Sequence, residues 1–291
     1  VNPFSEQAET DAEDRELVRR AQAGNRGALE QLIMRHQSWI FNVVLRMLYW
    51  PNDAEDVTQE ILIKLTTKLS TFEGRSSFRT WLYRIAVNHI LNVKRRSFED
   101  TLNFVEYGRG LDATPDMDLP DPHTLPADMK LIVDEARIGC TSGMLLCLDR
   151  EQRLIYILGA IFGVSDRVGA ELLDISRDAF RQKLSRARRD LHSFMQNQCG
   201  LVNTANPCRC AKKAQGFAKA GYLNPVNLQF AREHVTRVRE VSGKSADDLD
   251  ALDAQYAEIH RDHPFQSPPD FVASLRKLFN DPKFKSIAEL E

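Results

Sequence analysis

Apolar residues recur at intervals of three and four along most of this chain. The repeat is sustained between residues 14 and 69, where Val57, Ile61, Leu65 and Leu69 fall four apart on one stripe. That spacing predicts an amphipathic helix with a single buried face. Pro51 and Asn52 interrupt the pattern just before the stripe, and Asp53 is placed to accept backbone N–H bonds as the N-cap. Another helix follows the Gly74 loop. Further on, Asp149 and Gln152 stand three apart at the head of an apolar-periodic run, the spacing of a capping box with Asp in place of Ser or Thr. After Gln198 the pattern is irregular through Pro207 and then resumes. Leu228, Ala231, Val235 and Val238 share a face behind Asn224 and Pro225, which suit a cap and a first helical position. Leu249, Leu252, Tyr256 and Ile259 share another face after Ser245. No period-two alternation persists, so the expected fold class is all-α.

Residues 98–128 break this order, with Pro115, Pro120, Pro122 and Pro126 among Asp112, Asp116, Asp118 and Asp121. They read as an extended acidic linker between two helical domains. A length of 291 residues agrees with two or three compact units. The 43% hydrophobic and 27% charged content excludes a mostly disordered or fibrous protein. The longest apolar run, residues 154–164, is far short of the roughly 20 residues that span a bilayer. The acidic N-terminal stretch lacks the basic start and apolar segment of an export signal. A cytoplasmic location with no membrane partner is therefore expected, with the five cysteines held mostly as thiols.

The net charge of −2 hides basic clusters at residues 75–96 and 177–189. The second cluster belongs to a helix-turn-helix pattern over residues 165–191, with the turn at Leu173-Asp174-Ile175-Ser176. Phe180, Leu184, Ala187 and Leu191 form the buried seam of its second helix, while Arg177, Arg181, Ser185 and Arg188 line another face, widened by Gln182, Lys183, Arg186 and Arg189. In a major groove Arg donates two hydrogen bonds to guanine and Gln pairs with adenine. Arg177, Arg181 and Gln182 are the candidate base readers, and Lys183, Arg186, Arg188 and Arg189 the phosphate contacts. In the first cluster Thr80, Arg84, Asn88, Asn92 and Arg95 form one polar stripe, with Phe72 and the loop 74–77 beside it. Amides, aromatic faces and basic groups together suit unstacked bases of opened DNA. The bland alternatives are a solvated basic helix for each cluster and core packing for Trp81.

Three segments now resemble a known family: Asp53-Ala54-Glu55-Asp56-Val57-Thr58-Gln59-Glu60, Thr80-Trp81-Leu82-Tyr83-Arg84-Ile85-Ala86, and the helix-turn-helix. In order and separation they are similar to conserved regions two and four of extracytoplasmic-function sigma factors, over residues 16–191. The resemblance implies two helical sigma domains, 14–97 and 129–195, joined by the acidic linker 98–128. A helical extension, 199–291, would follow as a regulator. It implies that Asp56, Gln59 and Glu60, opposite the apolar stripe, dock on the clamp coiled coil of the largest subunit of core RNA polymerase. Phe72, residues 74–78, Arg84, Asn88, Asn92 and Arg95 would capture single-stranded −10 promoter DNA. Arg177, Arg181, Gln182, Lys183, Arg186 and Arg188 would bind the −35 element as duplex. The linker would thread a nucleic-acid channel of polymerase, and an anti-sigma factor is a further partner the family admits. No phosphate-cradling motif or catalytic cluster is readable, so no enzymatic activity is expected. Asp174 stands where the family commonly has Gly, tolerable because Asp enters left-handed conformations, and Phe180 is larger than the usual aliphatic residue.

Within the extension, Cys199, Cys208 and Cys210, with His192 upstream, are candidate ligands for one zinc or a redox centre, against plain reduced cysteines in a connector. Apart from that possibility no cofactor is expected. The segment Asn206-Pro207-Cys208-Arg209-Cys210 resembles extensions of a subset of such sigma factors. His260 and His263, just before Pro264, mark a helix end. The competing readings are a conventional dimeric helix-turn-helix regulator and a metal- or redox-responsive DNA-binding sensor.

Overall fold

A computed structural model describes residues 8–94, 96–117, 127–230, 236–238, 241 and 251–280. In chain order its helices are α1 (Ala8–Gln22), α2 (Arg26–Leu48), α3 (Pro51–Lys68), α4 (Phe78–Asn92), α5 (Phe104–Ala113), α6 (Ala127–Leu145), α7 (Arg150–Tyr156), α8 (Asp166–Leu173), α9 (Arg177–Gln198), α10 (Cys210–Lys219), α11 (Ala251–Arg261) and α12 (Phe271–Asn280). Helix α7 runs on through a π-helical turn, Ile157–Ile161. Two-residue strands β1 (Thr236–Arg237) and β2 (Pro264–Phe265) pair antiparallel, Thr236 opposite Phe265. Among the described residues the architecture is all-α with that short ladder. Among the described residues no helix is long and apolar enough to cross a membrane.

The chain divides into two units. The first comprises Val1–Val93, Arg167–Ser176 and Ser267–Glu291, and the second Lys94–Asp166 and Arg177–Gln266. In the first unit α1, α3 and α4 pack on α2. The stripe of Val57, Ile61, Leu65 and Leu69 is buried, together with Leu32, Ile40 and Val44 of α2; each such side chain stabilises the fold by about 1.5–3 kcal/mol. Asn25 caps α2, its Oδ1 accepting from the Ala28 N–H at 3.0 Å. The start of α3 differs from the sequence expectation. Trp50 occupies the capping position with no side-chain cap bond, Pro51 follows, and Asp53 falls inside the first turn. Proline's fixed φ and missing N–H suit the first helical position, which moves the boundary upstream of Asp53. Helix α12 also packs on α2, with Phe271 and Phe41 ring centroids 6.2 Å apart and Arg276 bonded to Glu30 at 2.5 Å.

Buried polar groups fix the angle between α1, α2 and α4. Asp14 lies 2.9 Å from Arg35 Nε, 3.3 Å from His36 Nε2 and 3.7 Å from Arg79 Nε. Burial by itself pushes the Asp14 carboxyl up, yet His36 and then Arg35 hold it below the usual carboxylate range.

In the second unit α7 and α9 pack together around Leu154, Ile155, Tyr156, Phe180, Ala187, Leu191 and Met195, all buried. Gly159 permits this, because a Cβ there would lie 2.8 Å from Leu184 Cδ2. Asp149 caps α7 by accepting from the Gln152 N–H at 2.9 Å, as its spacing predicts. The stretch expected to be an extended linker is corrected in part. Residues Ser97–Asp100 form a 3-10 turn and α5 follows, capped by Asn103 Oδ1 on the N–H groups of Val105 and Glu106. Glu99 anchors this turn, bonded to Arg150 at 3.0 Å and to Arg153 at 3.3 Å. Further along, Lys213 of α10 donates to the carbonyls of Leu111 and Thr114 at 2.8 and 2.5 Å. These anchors lie far from the linker in sequence, so its local composition cannot announce them. The linker's residues 118–126 lie outside the described residues.

The helix expected behind Asn224 and Pro225 is not formed through residue 230. Asn224 Oδ1 instead accepts from the N–H groups of Val226 and Asn227, closing a turn, and Thr236–Arg237 pair as β1. Ala231 and Val235 lie outside the described residues. The following pattern does form a helix, α11, with Tyr256 buried, while Ser245 and Leu249 lie outside the described residues.

Candidate nucleic-acid and protein interfaces

The first candidate surface is on α3. Asp56 and Glu60 are exposed and Gln59 half-buried, opposite the buried Val57, Ile61 and Leu65. Glu60 is not a free carboxylate. His89 Nε2 lies 2.8 Å from Glu60 Oε2, and Lys64 Nζ lies 2.7 Å from His89 Nδ1. An ammonium only donates, so Nδ1 accepts and Nε2–H donates to Glu60. The relay fixes that carboxylate to α4. Sequence spacing missed it because the partners are 29 and 25 residues apart.

The second surface runs from Phe72 into α4. Gly74 adopts φ +74°, a left-handed turn with nothing within 4 Å of a built Cβ, and leads to Ser77, which caps α4 on the Thr80 N–H at 3.1 Å. Gln22 Nε2 donates to the carbonyls of Leu69 and Phe72 at 2.9 and 3.0 Å, holding the loop's base. Phe72 is half-buried, with ring centroids 5.6 Å from Phe78 and 5.3 Å from Trp81. Trp81 thus follows the packing alternative in part, as one side of an aromatic cluster. Asn88 and Asn92 are exposed on α4, with Asn92 Nδ2 donating to the Asn88 carbonyl at 2.7 Å. Arg84 is half-buried and lies 3.3 Å from Asp174 Oδ1. Arg95 lies outside the described residues.

The third surface is α9. It follows α8 across Asp174, which takes φ +56°, and the Ile175 N–H returns to the Ala170 carbonyl at 3.1 Å. Asp in the left-handed position makes the sharp turn that the sequence assigned to this residue. Arg177, Arg181, Gln182, Ser185, Arg186 and Arg189 are exposed. Arg181 is paired with Asp166 and, at 3.3 Å, with Asp178. Lys183 is half-buried and pairs with Glu151 at 2.5 Å. Arg188 does not join the exposed face. It pairs with Asp253 of α11 at 2.9 Å and its side chain is 19% exposed.

His192 also faces α11, stacked on Tyr256 at 4.0 Å with Asp253 Oδ1 3.4 Å away. It is thereby removed from the candidate ligand set. Burial pushes its imidazole down to about 4, against the smaller upward pull of Asp253. His260 and His263 are buried at and just beyond the end of α11, His263 bonded to Thr141 at 2.5 Å. Cys199, Cys208 and Cys210 converge, and Cys140, unpredicted, converges with them. Among the described residues no three His, Cys, Asp or Glu side chains are already arranged to hold a metal ion.

Residues 32–97 match the family model Sigma-70 region 2. Among known proteins, the RNA polymerase sigma-H factor of Pseudomonas aeruginosa is 28% identical over 193 residues, covering 64% of this chain and 96% of its own length. The ECF RNA polymerase sigma-E factor of Haemophilus influenzae is 30% identical over 190 residues, covering 63% of this chain and 95% of its own. A solved structure of CnrH in complex with the cytosolic domain of CnrY is 25% identical with a TM-score of 0.43, covering 63% of this chain and 97% of that one.

Proposed function

Because this chain belongs to the extracytoplasmic-function family of RNA polymerase sigma factors, we propose that its three surfaces divide the work of transcription initiation among polymerase docking, opened DNA and duplex DNA. The chain binds core RNA polymerase and directs initiation at promoter DNA. Asp56, Gln59 and Glu60 present the docking edge of α3, and the Lys64–His89–Glu60 relay orients the last of them. Phe72, Arg84, Asn88, Asn92 and Arg95, with the Gly74 turn, take the non-template −10 bases. Unstacking a base costs a few kcal/mol, which contacts available only to the flipped base offset. No hydrolysis is needed, and the protein catalyses no reaction of its own.

The observation that carries this reading is the exposed row of Arg177, Arg181, Gln182 and Arg186 at the head of α9, directly after the Asp174 turn. Such a row enters a major groove end-on, the first residues reading base edges and the later ones gripping phosphate. Lys183 joins the phosphate contacts by exchanging Glu151 for DNA. Arg188 does so only when α11 releases it, which supports modulation of promoter affinity by the extension. The test is run-off transcription by core polymerase with and without the purified chain. Promoter-specific transcripts and a 1:1 complex with core are expected. Binding of a two-fold operator by a dimer without polymerase would instead support the conventional regulator. Asp56→Ala and Gln59→Ala each weaken core binding by roughly tenfold, about 1.4 kcal/mol.

A further inference from the structure

Four of the five cysteines meet at one place in the second unit. Cys140 comes from α6, Cys199 directly follows α9, Cys208 lies in the turn into α10, and Cys210 is the first residue of α10. Together they line a pocket of about 50 Å³. Leu111, Met144 and Leu201 share the remaining wall with Thr141, Gln198 and Arg209, and it carries no carboxylate or imidazole.

The convergence is built into the backbone. A Cβ on Gly200 would collide with the carbonyl oxygen of Cys208, so only glycine lets the end of α9 lie against that turn. Asn206 Nδ2 donates to the carbonyls of Gln196 and Cys199 at 3.0 and 3.2 Å, tying the loop back to α9. Arg209 donates to the carbonyls of Thr204 and Cys208, both at 2.9 Å. The loop from Cys199 to Cys210 thus fixes its own shape and delivers three thiols to a fourth on α6.

We infer that this pocket is a four-thiolate site for a thiophilic divalent cation of the zinc class, with Cys140, Cys199, Cys208 and Cys210 as ligands. Sulfur-only ligand sets select zinc or iron–sulfur centres over hard cations, and a cavity of about 50 Å³ takes a single ion more readily than a cluster. Four thiolates around a divalent ion leave excess negative charge, and Arg209 lies in the wall of the same pocket. All four cysteines are free thiols and their sulfurs are not yet closed into a cage, so the ion draws them together as it binds, coupling metal affinity to local folding. Once closed, it clips α6, α9 and α10 to one another, joining the duplex-reading helix to the extension.

The test is elemental analysis of the full-length chain purified without chelator, followed by chelator treatment and titration with cobalt(II). One zinc per chain is expected, then the intense visible and thiolate charge-transfer absorption of tetrahedral cobalt, displaced by zinc. Cys140→Ser abolishes that absorption, whereas Cys147→Ser, outside the pocket, retains it. Where a variant misfolds, the wild-type chain still decides: zinc protects the four pocket thiols from alkylation and leaves Cys147 labelling unchanged. Trace metal with no cobalt–thiolate bands, stoichiometric binding in Cys140→Ser, labelling indifferent to zinc, or a disulfide among the four would each overturn the site.

Discussion

Asp174 shows how much one residue decides. Its φ of +56° places a left-handed residue in the turn that closes α8. Aspartate tolerates this region and glycine more so, but a β-branched residue does not. Asp174→Val therefore costs about 1–2 kcal/mol while Asp174→Gly stays within about 1 kcal/mol of the parent, measured by urea midpoints. On the proposed reading of α9, the exposed Arg181 and Arg186 divide base reading from phosphate grip. Arg181→Ala weakens −35 binding by about 1–3 kcal/mol and relaxes sequence preference, whereas Arg186→Ala weakens all sequences alike and lowers the salt slope by about 1. Competition binding on matched and scrambled −35 duplexes across a salt series checks both. Which positions of α9 are exposed and which buried was legible because one helix holds them all. The Lys64–His89–Glu60 relay was not, since it joins two helices whose packing no local pattern encodes.

At the scale of elements, α9 was readable and its cover was not. Periodicity placed the buried seam of Phe180, Ala187 and Leu191 correctly. It also put Arg188 on the DNA face, because nothing near Arg188 in sequence reveals that α11 will pair Asp253 with it. Two consequences follow from that pairing. Asp253→Asn releases Arg188, so −35 affinity rises at low salt and the salt slope steepens by about 1; an unchanged slope would mean that α11 is scaffold alone. The second consequence concerns pH. The buried His192 is depressed from 6.5 to about 4. The unfolded chain therefore binds a proton that the folded chain refuses, and stability is fully present above pH 6.5 and lost as pH falls toward 4. Thermal unfolding between pH 7 and 4.5 should show this loss, and His192→Phe, which keeps an aromatic ring against Tyr256 without a titrating group, should flatten it.

For the whole molecule, composition misjudged the connector in the way composition must. Prolines and aspartates in residues 98–128 describe a chain that avoids regular structure, yet Ser97–Asp100 and α5 are ordered by groups that arrive from elsewhere. Glu99 is the decisive one. Its side chain is 6% exposed between Arg150 and Arg153, and Arg153 also donates to the carbonyls of Leu145, Leu146 and Leu148. Burial pushes the Glu99 carboxyl up, but Arg150 and Arg153 outweigh it and hold the group below 4.5. A depressed carboxylate contributes stability that is present above its unfolded value and is lost as pH falls through the folded one. Removing its charge takes the carboxylate from between two buried guanidiniums while Arg153 keeps its carbonyl acceptors, so Glu99→Gln should cost about 3 kcal/mol at pH 7 by urea unfolding. The variant should also lose the part of the parent's acid sensitivity that lies below pH 4.5. A connector that merely spans two domains would respond differently, with a surface-like change within about 0.5 kcal/mol and an unaltered acid limb.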